Sequence, residues 1–580
     1  MRKHIFNSIM VTLFASAGVL AQEKEKDSVL GTQTVNVVKA YTPSVSDAFK
    51  IKGTPSLDDS VTTSKKKIDY KIFSVPVAST FTPAKGKASA VEKAPKEKLY
   101  NTYASLGLGN YTSVLADFFT SRALSRTETV DVGLRHHSSQ GGIDGVDLDN
   151  AFFNTKLDAS YFKRDRDYTW GADLGFQHQI YNWYGVEEGL FEDAVLANID
   201  EKQTYYNGEL GAHINFNEGY FRGGNVLFRR FWDGMSSGEN RLVAKPSFKF
   251  PVQDQLVTTH IFVDYLSGKF DRSYYSEEEL KYSNVQLGIN PNIVFIKDDV
   301  TFNLGATVAY MMDIENSESK FYVFPNISAS YTLLEGFVTA YAGAKGDLQQ
   351  NSYYGFANDN QFVSPTLTIA PSFQQYDIYG GIKGKFLPNL SYDLKAGYSS
   401  TDDYAFFVHN PNSSNFGLDD GYVYGNSFNV VYDKLNTLKV DGEVNLTISD
   451  KFSLGANGMF ASYSTDELSE AYNLPSVRAS IFSDFKIGEK WFGGASVFFM
   501  GERKDVLSAD FITIDPADTA QEVTLDGYFD VNFNLGYNFT DRLSGFARLN
   551  NIANNDYQRW ANYKVQGFQA VLGATYKFDF

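Results

Sequence analysis

From Tyr100 to the end of the chain, apolar and polar residues exchange places at every second position in one segment after another. At 528–539, Phe529, Val531, Phe533, Leu535, Tyr537 and Phe539 alternate with Asp530, Asn532, Asn534, Gly536 and Asn538. At 209–216, Leu210, Ala212, Ile214 and Phe216 alternate with Glu209, Gly211, His213 and Asn215; at 156–161, Leu157, Ala159 and Tyr161 alternate with Lys156, Asp158 and Ser160. The last residues follow the same rule: Phe568, Ala570, Leu572, Ala574, Tyr576, Phe578 and Phe580 fall on one parity, and Val571 is the only apolar residue on the other. A period of two places the two sets on opposite faces of a β-strand. Charges, amides and glycines on the second face mean that it meets water rather than another packed layer.

The connections between these segments differ in length by turns. Short ones stand at 216–220, 296–300, 333–337, 386–390, 448–452, 487–491 and 539–543, with long ones such as 184–202, 401–423 and 503–523 between them. Short turns on the periplasmic side and long loops outside are the habit of outer-membrane barrels. The alternation predicts an all-β fold: a transmembrane antiparallel β-barrel of about 22 strands, with 425–448 as one strand running beyond the bilayer. An even count leaves both barrel ends on the short-turn side, the apolar parity facing lipid, and Phe580 closing the wall.

Composition agrees with strands rather than helices as the spanning element. Phe 48, Tyr 37 and Gly 47 accompany a mean hydropathy of only −0.28. A barrel needs apolar residues at alternate positions only. After the first 21 residues there is no apolar run of roughly 18 or more, which excludes helical spans. The absence of cysteine fits export through an oxidising compartment.

The N-terminus supplies the address. MRKHIFNSIMVTLFASAGVLAQ has basic Arg2 and Lys3, a short apolar stretch, and Val19-Leu20-Ala21 before Gln22, the form of a cleavable signal peptide covering 1–21. Residues 22–99 are different again. They hold five of the fifteen prolines and 14 Lys against nine Asp and Glu, a net charge of +5, whereas 100–580 carry 36 basic against 60 acidic residues, a net of −24. A basic, Pro-rich segment of this kind is expected to be mostly extended, either as a periplasmic or lumenal arm or as a plain linker.

Two stretches carry a family resemblance. FNVVYDKLNTLKVDGEVNLTISDKFSL (428–454), with Gly442 and Glu443, and RLNNIANNDYQ (548–558), with Asn551, Ile552, Ala553 and Tyr557, resemble the barrel of TonB-dependent receptors. The likeness covers most of 335–580; earlier strands share its rhythm. It implies uptake or binding of an extracellular ligand, and a C-terminal signal, Phe568, Tyr576, Phe578 and Phe580, read by the barrel-assembly machinery. It also implies an N-terminal plug. TQTVNVVKAYTPSVSDAF (32–49) resembles a plug start, and Thr34, Val35, Asn36, Val37 and Val38 form a TonB-box-like segment, though their composition reads first as a β-prone patch in an irregular arm. Only 78 residues lie between Ala21 and Tyr100, fewer than the family's plug, so 22–99 is expected to be at most a reduced plug.

Other motifs carry less. Asp144, Asp147 and Asp149 sit in a Gly-rich loop without EF-hand spacing, and read as a solvated turn. GGIKGK at 380–385 lies inside an alternating strand, where no helix follows to bind phosphate. Adjacent His136 and His137 face opposite sides of a strand, poor geometry for one metal. No catalytic constellation, metal site or cofactor site is expected, so the chain is not expected to be an enzyme, and its acidic loops disfavour nucleic acid. The expected partners are outer-membrane lipid, the barrel-assembly machinery, and TonB or another periplasmic protein. Beside the receptor reading stands a second one: a structural or assembly-linked barrel that serves as a scaffold, its lumen closed by its arm, its loops or a partner.

Overall fold

A computed structural model describes residues 99–253, 255–414, 419–508 and 520–579. Its alternating segments form 22 antiparallel strands hydrogen-bonded into one continuous sheet. The series runs from β1 (Thr102–Gly109), β2 (Ser113–Ala123) and β3 (Glu128–Ser139) through β6 (Lys202–Phe216) to β16 (Phe428–Ser449), and on to β22 (Tyr528–Asn538) and β26 (Gln569–Phe578). Two small hairpins stand apart from the wall: β20 (Arg503–Ser508) with β21 (Ala520–Leu525), and β24 (Gln558–Trp560) with β25 (Tyr563–Lys564). Two short helices, α1 (Asp193–Leu196) and α2 (Tyr353–Asp359), lie in loops. The segment expected at 425–448 is the single 22-residue strand β16. The loop expected at 401–423 begins later, because the preceding strand continues to His409, and the loop expected at 503–523 contains the β20–β21 hairpin.

The sheet closes on itself. β1 pairs with β2 on one side and with β26 on the other, from Thr102 opposite Phe578 to Gly109 opposite Val571. The hydroxyls of Ser105 and Thr575 meet across this seam at 2.9 Å. Gly107 and Gly573 face each other there, and the Phe546 ring lies over both; a Cβ on Gly573 would come within 2.2 Å of that ring. Closure satisfies every strand edge, which a sheet in hydrocarbon requires.

Parity sorts the two faces as expected. In β26, Leu572 is 67% exposed and Val571 5%. Outward residues near the short turns include the ring pairs Tyr161–Trp170, Trp491–Tyr537 and Tyr576–Phe578, at 5.1, 4.6 and 5.8 Å. On the loop side, His136, Phe153, His178, Tyr206 and Trp232 make a ladder of rings across five strands, spaced 4.7–5.3 Å. Two aromatic girdles flanking an apolar band are the mark of a membrane-spanning barrel. The inward face is polar and self-paired: Arg241 grips Asp264 with bonds of 2.9 and 2.6 Å, and Arg229 meets Glu209 at 2.8 Å.

Candidate functional site

The most densely buried part of the molecule is at the loop end of the barrel, where loops fold inward over the mouth. One apolar cluster joins Trp183, Tyr205, Phe231, Phe270, Tyr282, Tyr353, Phe362, Tyr422, Phe428 and Tyr563. Tyr205 belongs to β6 and Phe428 to β16, ten places apart in a ring of 22 and so nearly opposite one another. A single stretch of the 350–371 loop links them. The Gln361 carbonyl accepts the Tyr205 hydroxyl at 3.0 Å, and the Phe362 carbonyl accepts the Phe428 N–H at 3.1 Å and the Trp183 indole N–H at 3.2 Å. The cap therefore crosses the mouth.

Stacking and buried hydrogen bonds hold it. The Phe362 and Tyr563 rings stack at 3.7 Å, with Tyr184 edge-on to Tyr563 at 4.8 Å. The Tyr563 hydroxyl donates to the Asn426 carbonyl, whose side-chain amide donates to the Trp183 carbonyl at 2.7 Å. Helix α2 is moored to the wall by its first residue. The Tyr353 N–H donates to Glu239 at 2.7 Å and its hydroxyl donates to Asp233 at 2.6 Å, while the next ring, Tyr354, lies under the Arg229 guanidinium at 3.8 Å. Ser352 caps the helix by accepting the Gly355 N–H at 3.0 Å. Burial of these named groups is tolerable because each of them is paired.

The hairpin β20–β21 joins the cap through Arg503, whose guanidinium donates to the carbonyls of Gln558 and Arg559, and through Asp505, which accepts the Ala561 N–H at 3.2 Å. Burial pushes the Asp505 carboxyl up to about 6, against the pull of the Val506 and Ala561 N–H groups. A carboxyl whose pKa is raised by folding stabilises most below its ordinary pKa, and that contribution is lost as pH rises through the folded value. Backbone hydrogen exchange in 503–507 and 521–525, corrected for intrinsic rates, should thus be faster at pH 8 than at pH 5. Asp505→Asn should remove the difference; a pH effect that persists in this variant would locate its cause elsewhere.

The residues singled out in the sequence fall in separate places. Phe568, Tyr576 and Phe578 stand on the outward parity at the end of the chain; Phe580 and the segment 34–38 lie outside the described residues. His136 faces outward and bonds Thr155 and Ser138, at 2.7 and 3.0 Å, whereas His137 packs edge-on against Phe152 on the inner side. Among the described residues no three His, Asp or Glu side chains gather as a metal site. The sequence offers the loops as one closure of the lumen without placing the residues of the cap, although their signal is present: loops that stay in water are polar, and WYG at 183–185, YYGF at 353–356 and RWANY at 559–563 are not.

No family model and no curated protein sequence matches the chain. Solved structures do match in fold. The ferripyoverdine receptor of the outer membrane of Pseudomonas aeruginosa superposes with a TM-score of 0.60 at 14% identity, over 84% of this chain and 72% of that one. The siderophore receptor PirA of Acinetobacter baumannii gives 0.62 at 13% identity, over 83% and 81%. The iron transporter FrpB of Neisseria meningitidis gives 0.60 at 11%, over 83% and 82%. The chain thus shares the fold of these outer-membrane receptor and transporter barrels, here with 22 strands closed in one sheet.

Proposed function

We propose that this protein is an outer-membrane receptor or transporter barrel of the TonB-dependent type, which binds or takes up an extracellular ligand at its loop-side mouth. The observation that carries this reading is the cap: a mouth crossed by loops moored through single tyrosines is a gate that a ligand can bias. Siderophores and iron, which name the similar barrels, are the first cargo classes to test by binding. In this reading loss of the segment 22–99, whose +5 charge is opposite in sign to the −24 of residues 100–580, opens the barrel to solutes. Thr34–Val38 offers the contact to TonB, and the terminal aromatics ending in Phe580 are read by the assembly machinery.

A second reading, a non-transporting scaffold, is favoured by how fully the cap is buried, with Trp183, Tyr353 and Tyr563 wholly inside it, since such packing suits a barrel that never opens. Single-channel conductance of the purified protein separates the two. Large conductance steps after removal of residues 22–99, or on adding a ligand to the whole protein, support the receptor reading. A truncated barrel that stays tight, and whose separate 22–99 segment retains a periplasmic partner in a pull-down, supports the scaffold.

A further inference from the structure

At the short-turn end, the outer wall between β2 and β3 carries a groove of about 340 Å³ lined by Thr120, Arg122, Leu124, Val130 and Val132. Register places these side chains together: Arg122 stands opposite Val130 and Thr120 opposite Val132, on the outward parity. Val130 in turn stands opposite Tyr161, so Arg122 lies in the same cross-strand row as a ring of the short-turn girdle. That row marks the level at which hydrocarbon gives way to headgroups.

Arg122 is exposed there and pairs with no described residue. The carboxylate nearest in the hairpin, Glu128, is already taken by Lys163 at 2.9 Å. Arg126, in the turn of the same hairpin, is exposed as well and adds positive charge. A guanidinium at headgroup depth, without a partner among the described residues and beside an apolar trough, is complemented by a phosphate with a hydrocarbon chain attached, held by charge-assisted hydrogen bonds at one end and by apolar contact at the other.

We propose that this groove binds a single glycerophospholipid of the short-turn leaflet, with its phosphate on Arg122 and one acyl chain running toward the bilayer midplane along Val130 and Val132. The inference concerns the outer wall and stands apart from the function of the cap. Native mass spectrometry of the full chain in detergent, titrated with palmitoyl-oleoyl phosphatidylglycerol, tests it. The wild type should retain one lipid with preference. Arg122→Ala should weaken that binding roughly fivefold, the factor expected for one interfacial cation. Val132→Trp, which fills the groove and leaves the charge in place, should weaken it too. Arg122→Lys should keep the lipid, and covers the case in which the alanine variant does not fold. Inorganic phosphate alone should not displace it. Equal lipid retention in the wild type and Val132→Trp, or displacement by phosphate alone, would overturn the proposal.

Discussion

Phe533→Lys is expected to remove most of the folded barrel, whereas Asn534→Lys should leave much of it. Phe533 lies midway along β22 on the outward face, between Ala495 and Leu549 of its neighbours, and stacks at 6.2 Å on Phe485. A lysine at bilayer midplane costs roughly 2–4 kcal/mol on the lipid face of such a barrel. Asn534 faces the lumen, opposite Gly494 and Arg548. A lysine there meets the Arg548 charge, a penalty of about 0.2–1 kcal/mol for like charges on paired strands, and has water around it. The measurement is the heat-modifiable, folded fraction on gels run without boiling. Equal losses in the two variants would mean that inside and outside have been exchanged in β22.

The second large effect concerns the cap. Tyr563→Ala removes a wholly buried ring that stacks on Phe362, meets Tyr184 edge-on and donates to the Asn426 carbonyl. Truncating a buried aromatic to alanine typically costs about 3–5 kcal/mol, and the loss falls on loops whose packing is local to the mouth, leaving the wall intact. The variant should keep its heat-modifiable barrel while the loops around 350–371 and 551–568 become open to protease in intact cells. Phe362→Ala should do the same, and the double variant should add little, because the two residues share one contact. Protease resistance equal to the wild type in both single variants would show that the cap is held elsewhere.

The wall was legible in the sequence because a barrel strand writes its two environments as a period of two. Phe529 to Phe539 and Leu210 to Phe216 leave no choice of face, and the turn at 539–543 marks its own side by being short. The cap was not legible, because its contacts join residues far apart that obey no period. Trp183 and Phe362, or Tyr205 and Gln361, meet only once the ring of strands has brought their loops over one opening. The tyrosines of 353–354 announce burial but not against what: Glu239, Asp233 and Arg229 are polar residues of an inward parity that the pattern assigns to water. The outward groove was hidden for a related reason, since Arg122 alone reads as an ordinary charge at the end of a strand.

The seam between β1 and β26 bears on how such a chain can reach its native state. Every remaining wall strand pairs with the next wall strand along the chain, whereas the Ser105–Thr575 contact spans 470 residues. Bringing together the ends of a loop that long costs on the order of 5 kcal/mol in chain entropy, in a single event. The hairpins can zip up locally and early, yet until the final ten residues arrive, the growing sheet presents two unpaired edges of the kind that recruit other chains. The rate of correct folding is then governed by one late, non-local encounter, and an arrested chain lacking only β26 would be lost to aggregation rather than left as a slightly smaller barrel.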